Sequence, residues 1–244
     1  MVGKSTQFIL QKLSRDERTR ILRAVTIPRR GRGPRTERVG GSRARRRPEA
    51  SLSHGPWVMR VLASAAGLLL RAAETTDVPL LAKWRSDPQI LEFYGGRDRP
   101  LDENAVRKDY FRRRRDPATG RFFEYRPCIV EVDQAPVAFV QYFRLPIQEA
   151  ALFGYPSNER TYGLDFFIGD PVLWGKGLGP RVIELARDFL CEMRGASRVV
   201  ADPRVDNPRS VRALEKARFR KIRVLRAREL HEGAPRDCWL VEYP

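Results

Sequence analysis

The sequence predicts a mixed α/β domain over residues 59–244, preceded by a disordered, arginine-rich extension over residues 1–58. Strand-like and helix-like segments alternate between Gly67 and Tyr243, a pattern that fits neither a helical bundle nor an all-β fold. The charge is uneven, since the first 58 residues contain fifteen lysines and arginines against four acidic residues. The net charge of +17 therefore belongs mainly to the extension and says little about the domain.

The extension is low in complexity between Pro28 and Pro56, where Gly, Arg, Pro and Ser dominate. Such a segment cannot bury enough apolar surface to offset the entropy of ordering it. Arginine-rich tails also bind nucleic acid by neutralising phosphates, so nucleic acid is one candidate partner of this segment alone. The simpler interpretations, which we favour, are a tail without a partner, or a start codon placed too far upstream with Met59 as the natural start.

Cysteine usage and hydropathy favour a cytoplasmic protein without a metal. Three scattered cysteines and two histidines offer no closed zinc site at recognisable spacing. The apolar run from Val61 to Leu70 is too short to span a bilayer, which takes about 20 residues. It also suits the apolar region of a signal peptide that starts at Met59, but residues 67–77 look more like a strand running into a helix cap. We therefore expect no membrane association.

The first half of the domain contains helices with polar caps and a β-hairpin. Thr, Asp and Pro residues precede apolar stripes at helical spacing, and alternating apolar segments flank the turn at residues 133–136. The predicted elements are a strand at 68–72, a helix from Thr75–Asp77 to Trp84, a short helix before Glu92, a helix capped by Asp102 and ending at 112–115, and strands at 125–132 and 137–145.

The second half alternates strands and helices after a long polar loop at residues 146–160. Apolar residues recur at helical spacing between Pro180 and Met193, and Asn207 caps a second helix. The predicted elements are a strand at 161–168, a helix at 180–193, a strand at 197–201, a helix at 207–217, and strands at 221–225 and 238–243 on either side of a turn at 231–233.

The most informative segment is Trp174-Gly-Lys-Gly-Leu-Gly-Pro-Arg181. Its alternating glycines lie between a strand and a helix, where the backbone approaches a ligand closely and free N–H groups bind anions. A phosphate ligand is therefore expected. A P-loop would need Ser or Thr after Gly-Lys, so nucleotide hydrolysis is not favoured. A dinucleotide fingerprint is a closer alternative, although Pro180 stands where its third glycine should be. A glycine-rich turn without a ligand is the remaining one.

Two motifs resemble the signatures of GNAT N-acyltransferases. Gly175-Lys-Gly-Leu-Gly179 resembles their pyrophosphate loop, Q/R-x-x-G-x-G/A, with Trp174 where Gln or Arg is usual. Asn207-Pro-Arg-Ser-Val-Arg-Ala-Leu-Glu-Lys-Ala-Arg-Phe219 is similar to the second signature, N-x-x-A-x-x-x-Y-E-K-x-G-F. The resemblance covers residues 67–243 and implies a mostly antiparallel central sheet flanked by helices. Residues 92–96, 163–165 and 202–203 look like the aminoglycoside 6′-N-acetyltransferase branch.

The resemblance implies acetyl-CoA as the co-substrate. The pyrophosphate would lie on the glycine-rich loop, and the pantetheine arm would pair with the strand at residues 161–168. The residues implied for acetyl-CoA are Phe166, Phe167, Gly175, Lys176, Gly177, Leu178, Gly179, Arg181 and Asn207.

The resemblance also implies residues for catalysis and for the acceptor. Asp165 matches the residue proposed as the general base in the aminoglycoside branch, which would take the proton that the amine loses. The alternative for Asp165 is a structural carboxylate paired with an arginine. The acceptor residues implied are Glu92, Tyr94, Glu149, Phe153 and Asp202.

Two positions depart from the family pattern. Leu214 occupies the place of the tyrosine that usually protonates the leaving CoA thiolate, and Arg218 replaces a glycine where a positive φ would make arginine costly. They support one alternative, a catalytically impaired GNAT-fold binding module. The favoured function is acetyl transfer to a primary amine of a small molecule, with an aminoglycoside as one candidate. Protein lysine or N-terminal acetylation is the nearest variant, and a monomer and a dimer are equally open.

Overall fold

The computed structural model describes residues 61–112, 125–156 and 158–244. Within these residues, eight strands form one sheet in the order β1-β2-β3-β4-β5-β6-β8-β7. Only the β5–β6 pair is parallel, and the other neighbouring pairs are antiparallel. The predicted mixed α/β class with a mostly antiparallel sheet is thus confirmed. The strands are β1 (Val61–Ala65), β2 (Leu68–Ala72), β3 (Arg126–Val132), β4 (Ala135–Arg144), β5 (Thr161–Ile168), β6 (Arg198–Ala201), β7 (Arg220–His231) and β8 (Ala234–Tyr243).

Helices cover both faces of the sheet. The long helix α5 and helix α6 pack on one face, and the short helices α1, α2 and α3 pack on the other. A single π-helical turn, Arg107–Phe111, continues α3. The helices are α1 (Val78–Trp84), α2 (Pro88–Leu91), α3 (Glu103–Val106), α4 (Ile147–Phe153), α5 (Leu178–Arg194) and α6 (Pro208–Lys216).

Successive residues of a strand point to opposite faces of the sheet, so the core includes a cluster on each face. In β4, Ala138 and Val140 belong to the cluster under α5, whereas Phe139 between them belongs to the cluster under α1. Phe139 lies opposite Phe167 of β5, with their ring centroids 5.1 Å apart and the rings stacked. This aromatic pair belongs to the cluster under α1.

Two tight hairpins begin the sheet. Asp133 and Gln134 join β3 to β4 with φ angles of 48° and 64°, as the type I′ geometry of a two-residue hairpin requires. This confirms the predicted hairpin. Ala66 and Gly67 join β1 to β2 with φ angles of 50° and 77°. Strand β1 goes beyond the prediction, which places only one strand in the apolar run from residue 61 to residue 70.

Several predicted segments are wrong in extent, and β8, for instance, begins at Ala234 rather than at residue 238. The stretch at residues 146–160 contains helix α4, which ends at Gly154 in the left-handed conformation, so it is not a simple loop. Its signals were the apolar spacing of Ile147, Ala150 and Phe153 and the glycine that ends it. Strand β7 runs six residues beyond the predicted end at residue 225, because charged residues on its exposed side conceal the strand pattern.

Part of the prediction lies outside the described residues. This is the case for the extension at residues 1–58 and for most of the basic helix end at residues 112–115. The disorder of the extension and its link to nucleic acid stay predictions. Among the described helices, none combines the length and the apolar character that crossing a membrane requires.

Candidate active site

A cleft opens where β5 and β6 diverge. Parallel pairing joins Thr161, Tyr162 and Gly163 to residues 198–200 and then stops. Strand β5 continues along β4 to Ile168, whereas the chain after Ala201 stays with β8 through the Arg204–Cys238 bridge. A cavity of about 830 Å³ lies in the opening. Beyond Gly163, the edge of β5 that faces the cleft lacks a strand partner among the described residues, so an extended ligand can lie along it.

The glycine-rich loop forms one wall of this cavity. Gly175 and Gly177 have φ angles of 75° and 78°, and Gly177 is the N-cap of α5. A Cβ built on either residue would face open space rather than protein. The first N–H groups of α5 have no intrahelical acceptor and carry the positive end of the helix dipole. The loop therefore fits a pyrophosphate, which needs both close backbone approach and N–H donors.

Neighbouring residues fix the loop in place. The indole Nε1 of Trp174 donates a hydrogen bond of 3.2 Å to the carbonyl of Ile168, which ties the loop to the end of β5. The guanidinium of Arg209 lies 4.0 Å from the centroid of the Trp174 ring. Gly179 lets α5 approach α6, since its Cβ would stand 3.5 Å from Cβ of Ala213. Trp174 thus anchors the loop at the position where the family usually has Gln or Arg.

Of the nine residues predicted to bind acetyl-CoA, six line the cavity and three do not. Lys176 is exposed beside the cavity, Leu178 packs against the core, and Arg181 donates to the carbonyl of Ala66 in the first hairpin. The binding roles of all nine stay predictions. Six of them line the cavity: Phe166, Phe167, Gly175, Gly177, Gly179 and Asn207.

Asp165 lies on the cleft wall of β5, two residues after the last β5–β6 pair. Its carboxyl group reaches the cavity but is surrounded by protein. Burial raises the pKa of Asp165 to about 8, and the negative charges of Asp202 and Glu149 add to the increase, while Arg228 opposes it. The carboxyl group is therefore protonated in weakly acidic solution and becomes a base near pH 8.

Arg228 neutralises two acidic residues predicted for the acceptor. It is 6% exposed, its Nε lies 2.6 Å from Oδ2 of Asp202, and its Nη2 donates to Oε1 of Glu149. Glu149 and Phe153 line a small cavity behind the main one, together with Asp165, Asp202 and Arg228. Sequence reasoning missed Arg228 because the predicted strand stopped at residue 225.

The buried ion network predicts a large stability difference between two arginines of β7. We expect Arg228→Gln to lower the free energy of unfolding by about 3–5 kcal/mol, because it leaves buried carboxylates without their cation. The matched control is Arg226→Gln, since Arg226 is 82% exposed and pairs with Asp237. The control should cost at most about 1 kcal/mol. Urea denaturation measures both, and similar small losses would show that the network contributes little.

Two tyrosines, Tyr94 and Tyr110, line the cavity and pack on aromatic side chains of β5 and β4. Tyr94 packs on Phe167 with ring centroids 4.8 Å apart, and Tyr110 packs on Phe139 at 5.0 Å. Burial raises the pKa of both tyrosines, so their hydroxyl groups stay protonated as hydrogen-bond donors. Of the predicted acceptor residues, Tyr94 and Asp202 line the main cavity. Glu92 is exposed beside it, with its carbonyl accepting a hydrogen bond from Arg204.

The family of the chain follows from its sequence match together with this cleft. A family model described as an acetyltransferase (GNAT) domain matches residues 73–227, more than half of the chain. The chain belongs to the GNAT acetyltransferase family. It is an acyl-CoA-dependent N-acetyltransferase whose co-substrate is acetyl-CoA. Among the described residues, no group of three His, Cys, Asp or Glu side chains is arranged to hold a metal ion.

Similar proteins include enzymes that act on amines. The aminoglycoside N(6′)-acetyltransferase type 1 of Klebsiella pneumoniae is 22% identical over 152 residues, covering 62% of this GNAT chain and 73% of its own length. The structure of aminoglycoside acetyltransferase AAC(6′)-Ib with coenzyme A has a TM-score of 0.55 and 18% identity, and the match covers 72% of this chain and 94% of that one. Spermidine N-acetyltransferase from Vibrio cholerae, with CoA and spermine, has a TM-score of 0.57, 18% identity, and coverage of 72% and 95%.

The structure shows the surroundings of Leu214 and the backbone conformation of Arg218, the two residues that depart from the GNAT signature. Leu214 is fully buried and lines the cavity, so it fills the place of the usual tyrosine with an apolar side chain that cannot donate a proton. Arg218 has a φ of 67°, in agreement with the positive angle that the resemblance implied. It follows the C-terminal end of α6 and its side chain is exposed, so the strain is local to that turn.

Proposed function

We propose that this N-acetyltransferase acetylates a primary amine of a small molecule, with Asp165 as the general base. The observation that supports the proposal is the carboxyl group of Asp165 at the point where β5 leaves β6, with a pKa of about 8. A general base works best when its pKa lies near the operating pH, because it is then both ionised and basic enough. Acetyl-CoA, when bound along the loop and β5, supplies the thioester carbonyl.

The proton balance of the reaction assigns distinct tasks to side chains of the cleft. As the amine nitrogen forms the new N–C bond, Asp165 accepts the proton that the nitrogen loses. The C–S bond breaks, and the thiolate that leaves needs a proton. Leu214 cannot provide it, so the donor is solvent or one of the hydroxyl groups on the cavity wall, those of Tyr94, Tyr110 and Ser210. A thiol has a reference pKa of about 8.5, so this step makes a modest demand on the donor.

The class of amine is the finer part of the proposal. The relatives' names point to aminoglycosides and spermidine, which carry several positive charges. Sites for such molecules benefit from unpaired acids, yet Glu149 and Asp202 already pair with Arg228. This arrangement favours an acceptor with fewer positive charges than an aminoglycoside.

The pH dependence of turnover tests the role of Asp165. We expect kcat/KM to rise about tenfold per pH unit below pH 8 and to level off above it, because only ionised Asp165 accepts the proton. Steady-state thiol release from acetyl-CoA between pH 6 and 9.5 measures the profile. The Asp165→Asn variant is the control, since any slope that it retains comes from the acceptor. A flat wild-type profile, or one that the variant reproduces, would remove Asp165 from the reaction.

A further inference from the structure

Arg85 is a buried cation on the acceptor side of the cavity. It follows α1, is 3% exposed and lines the cavity. Its Nη1 donates to the carbonyl of Tyr94, and its guanidinium lies 4.9 Å from the Tyr94 ring centroid. Its Nε is buried without a hydrogen-bond partner. In the described part of the chain, Arg85 takes part in no ion pair.

This lack of an ion pair is exceptional among the buried arginines of the described residues. A buried guanidinium without a counter-charge is costly, and the other buried arginines avoid the cost. They are Arg71 with Asp77 and Glu131, Arg187 with Asp188, Arg204 with Asp206, and Arg228 with Glu149 and Asp202. Of these buried arginines, Arg85 alone faces the cavity with donors that protein carboxylates leave unused.

The position of Arg85 relates it to the proposed base. Arg85 contacts Tyr94, and Tyr94 packs on Phe167 of β5. Phe167 and Asp165 are two residues apart on the same strand, so their side chains lie on the same face. The pKa of Tyr94 also responds to both charges, since Asp165 raises it and Arg85 lowers it. Tyr94 thus separates a cationic end of the acceptor site from an acidic end.

We propose that the acceptor is an amine that also carries a carboxylate, with the amine at Asp165 and the carboxylate bound by Arg85. This inference rests on the proposed function and names its substrate class. A guanidinium binds a carboxylate through parallel N–H···O bonds, and burial strengthens them. The same cation repels the additional ammonium groups of a polyamine or an aminoglycoside. An amino acid with a side-chain amine fits both ends of the site.

The test is calorimetric titration of matched ligands into the full-length chain saturated with CoA. The ligands are 4-aminobutanoate, 5-aminopentanoate, 6-aminohexanoate and L-lysine, each compared with its carboxamide and with the diamine of the same length. We expect at least one carboxylate to bind about tenfold or more tightly than its carboxamide, as a charge-assisted hydrogen bond predicts. Arg85→Gln should remove this preference, and Arg85→Lys should retain part of it because lysine keeps the charge without the fork.

The control is Arg99→Gln. Arg99 lines the same cavity but is 44% exposed and lies 3.5 Å from Asp98, so its loss should leave the preference intact. CoA affinity reports folding in every variant. Equal binding of carboxylates and carboxamides by the wild-type chain, or a preference that survives Arg85→Gln, would overturn the inference. If the carboxylates bind but receive no acetyl group, only the proposed function is contradicted. If spermidine or kanamycin is acetylated in preference to the carboxylates, only the inference about the substrate class is contradicted.

Discussion

Asp165→Asn is expected to lower kcat/KM for the acetylated amine by a factor of about 10² to 10⁴, the usual contribution of a general base. Asparagine has nearly the same shape but cannot accept the proton from the amine nitrogen. The affinity for acetyl-CoA should stay within about threefold of wild type, because the glycine-rich loop at residues 175–179 is untouched. Thiol-release kinetics at pH 8 and a calorimetric titration with acetyl-CoA measure the two quantities.

The matched control for this variant is Glu229→Gln. Glu229 is another carboxylate of the cavity wall, and its negative charge raises the pKa of Asp165. Removing that charge leaves the base in place, so turnover at pH 8 should change less than about tenfold. Undiminished turnover in Asp165→Asn would leave Asp165 with its alternative role, a structural carboxylate.

The pH dependence of stability measures the raised pKa of Asp165 independently of turnover. Its pKa is about 8 in the folded chain, whereas an unperturbed aspartic acid has a pKa of 3.8, so the folded state binds the proton more tightly than the unfolded state does. The carboxyl group therefore costs stability as pH rises from about 4 to 8, by at most about 1.4 kcal/mol per pH unit. Asp165→Asn avoids this cost. Its unfolding temperature should match that of wild type at about pH 4 and exceed it increasingly as the pH rises to 8.

Gly177→Glu is expected to weaken acetyl-CoA binding at least about 100-fold. The substitution places a side chain and a negative charge in the open space that the loop offers to a pyrophosphate. It also imposes strain, because Gly177 has a φ of 78°. Calorimetric titration of the variant with acetyl-CoA measures the loss.

Gly154→Glu separates the strain from the loss of the phosphate site. Gly154 has a φ of 83° and open space around its Cβ, but it ends α4 away from the main cavity. The control should lose stability to a similar degree and keep its affinity for acetyl-CoA. If both variants lost affinity equally, strain rather than the loop would explain the result. Wild-type affinity in Gly177→Glu would place the pyrophosphate elsewhere.

The features that sequence predicted well depend on local spacing. The glycines at positions 175 and 177 need positive φ angles, and Asn207 caps α6 by accepting a hydrogen bond from the N–H of Ser210. Hairpin turns and the apolar stripe of α5 are equally local. The resemblance to the GNAT signatures rests on the same two segments, and the family match confirms it.

The features that sequence missed depend on contacts between distant residues. Arg228 and Glu149 are 79 positions apart, and nothing near either residue signals that they pair. Arg85 directly follows α1, and its sequence neighbours give no sign of a special role. Only the fold shows that it lines the cavity and has no carboxylate partner among the described residues. The electrostatic character of the acceptor site is therefore a property of the folded protein. It is the basis of our proposal that the acceptor carries a carboxylate, whereas the sequence predicts only a small-molecule amine with an aminoglycoside as one candidate.

The most direct test of the account is transfer of an acetyl group to an amine by the full-length chain. The chain is incubated with acetyl-CoA at pH 8 and with a panel of amino acids, polyamines and aminoglycosides, and mass spectrometry detects the acetylated products. We expect an N-acetylated amine whose formation depends on Asp165 and on the glycine-rich loop at Gly177. If acetyl-CoA binds but no amine gains an acetyl group above the level of Asp165→Asn, the proposed N-acetylation of a small-molecule amine is contradicted.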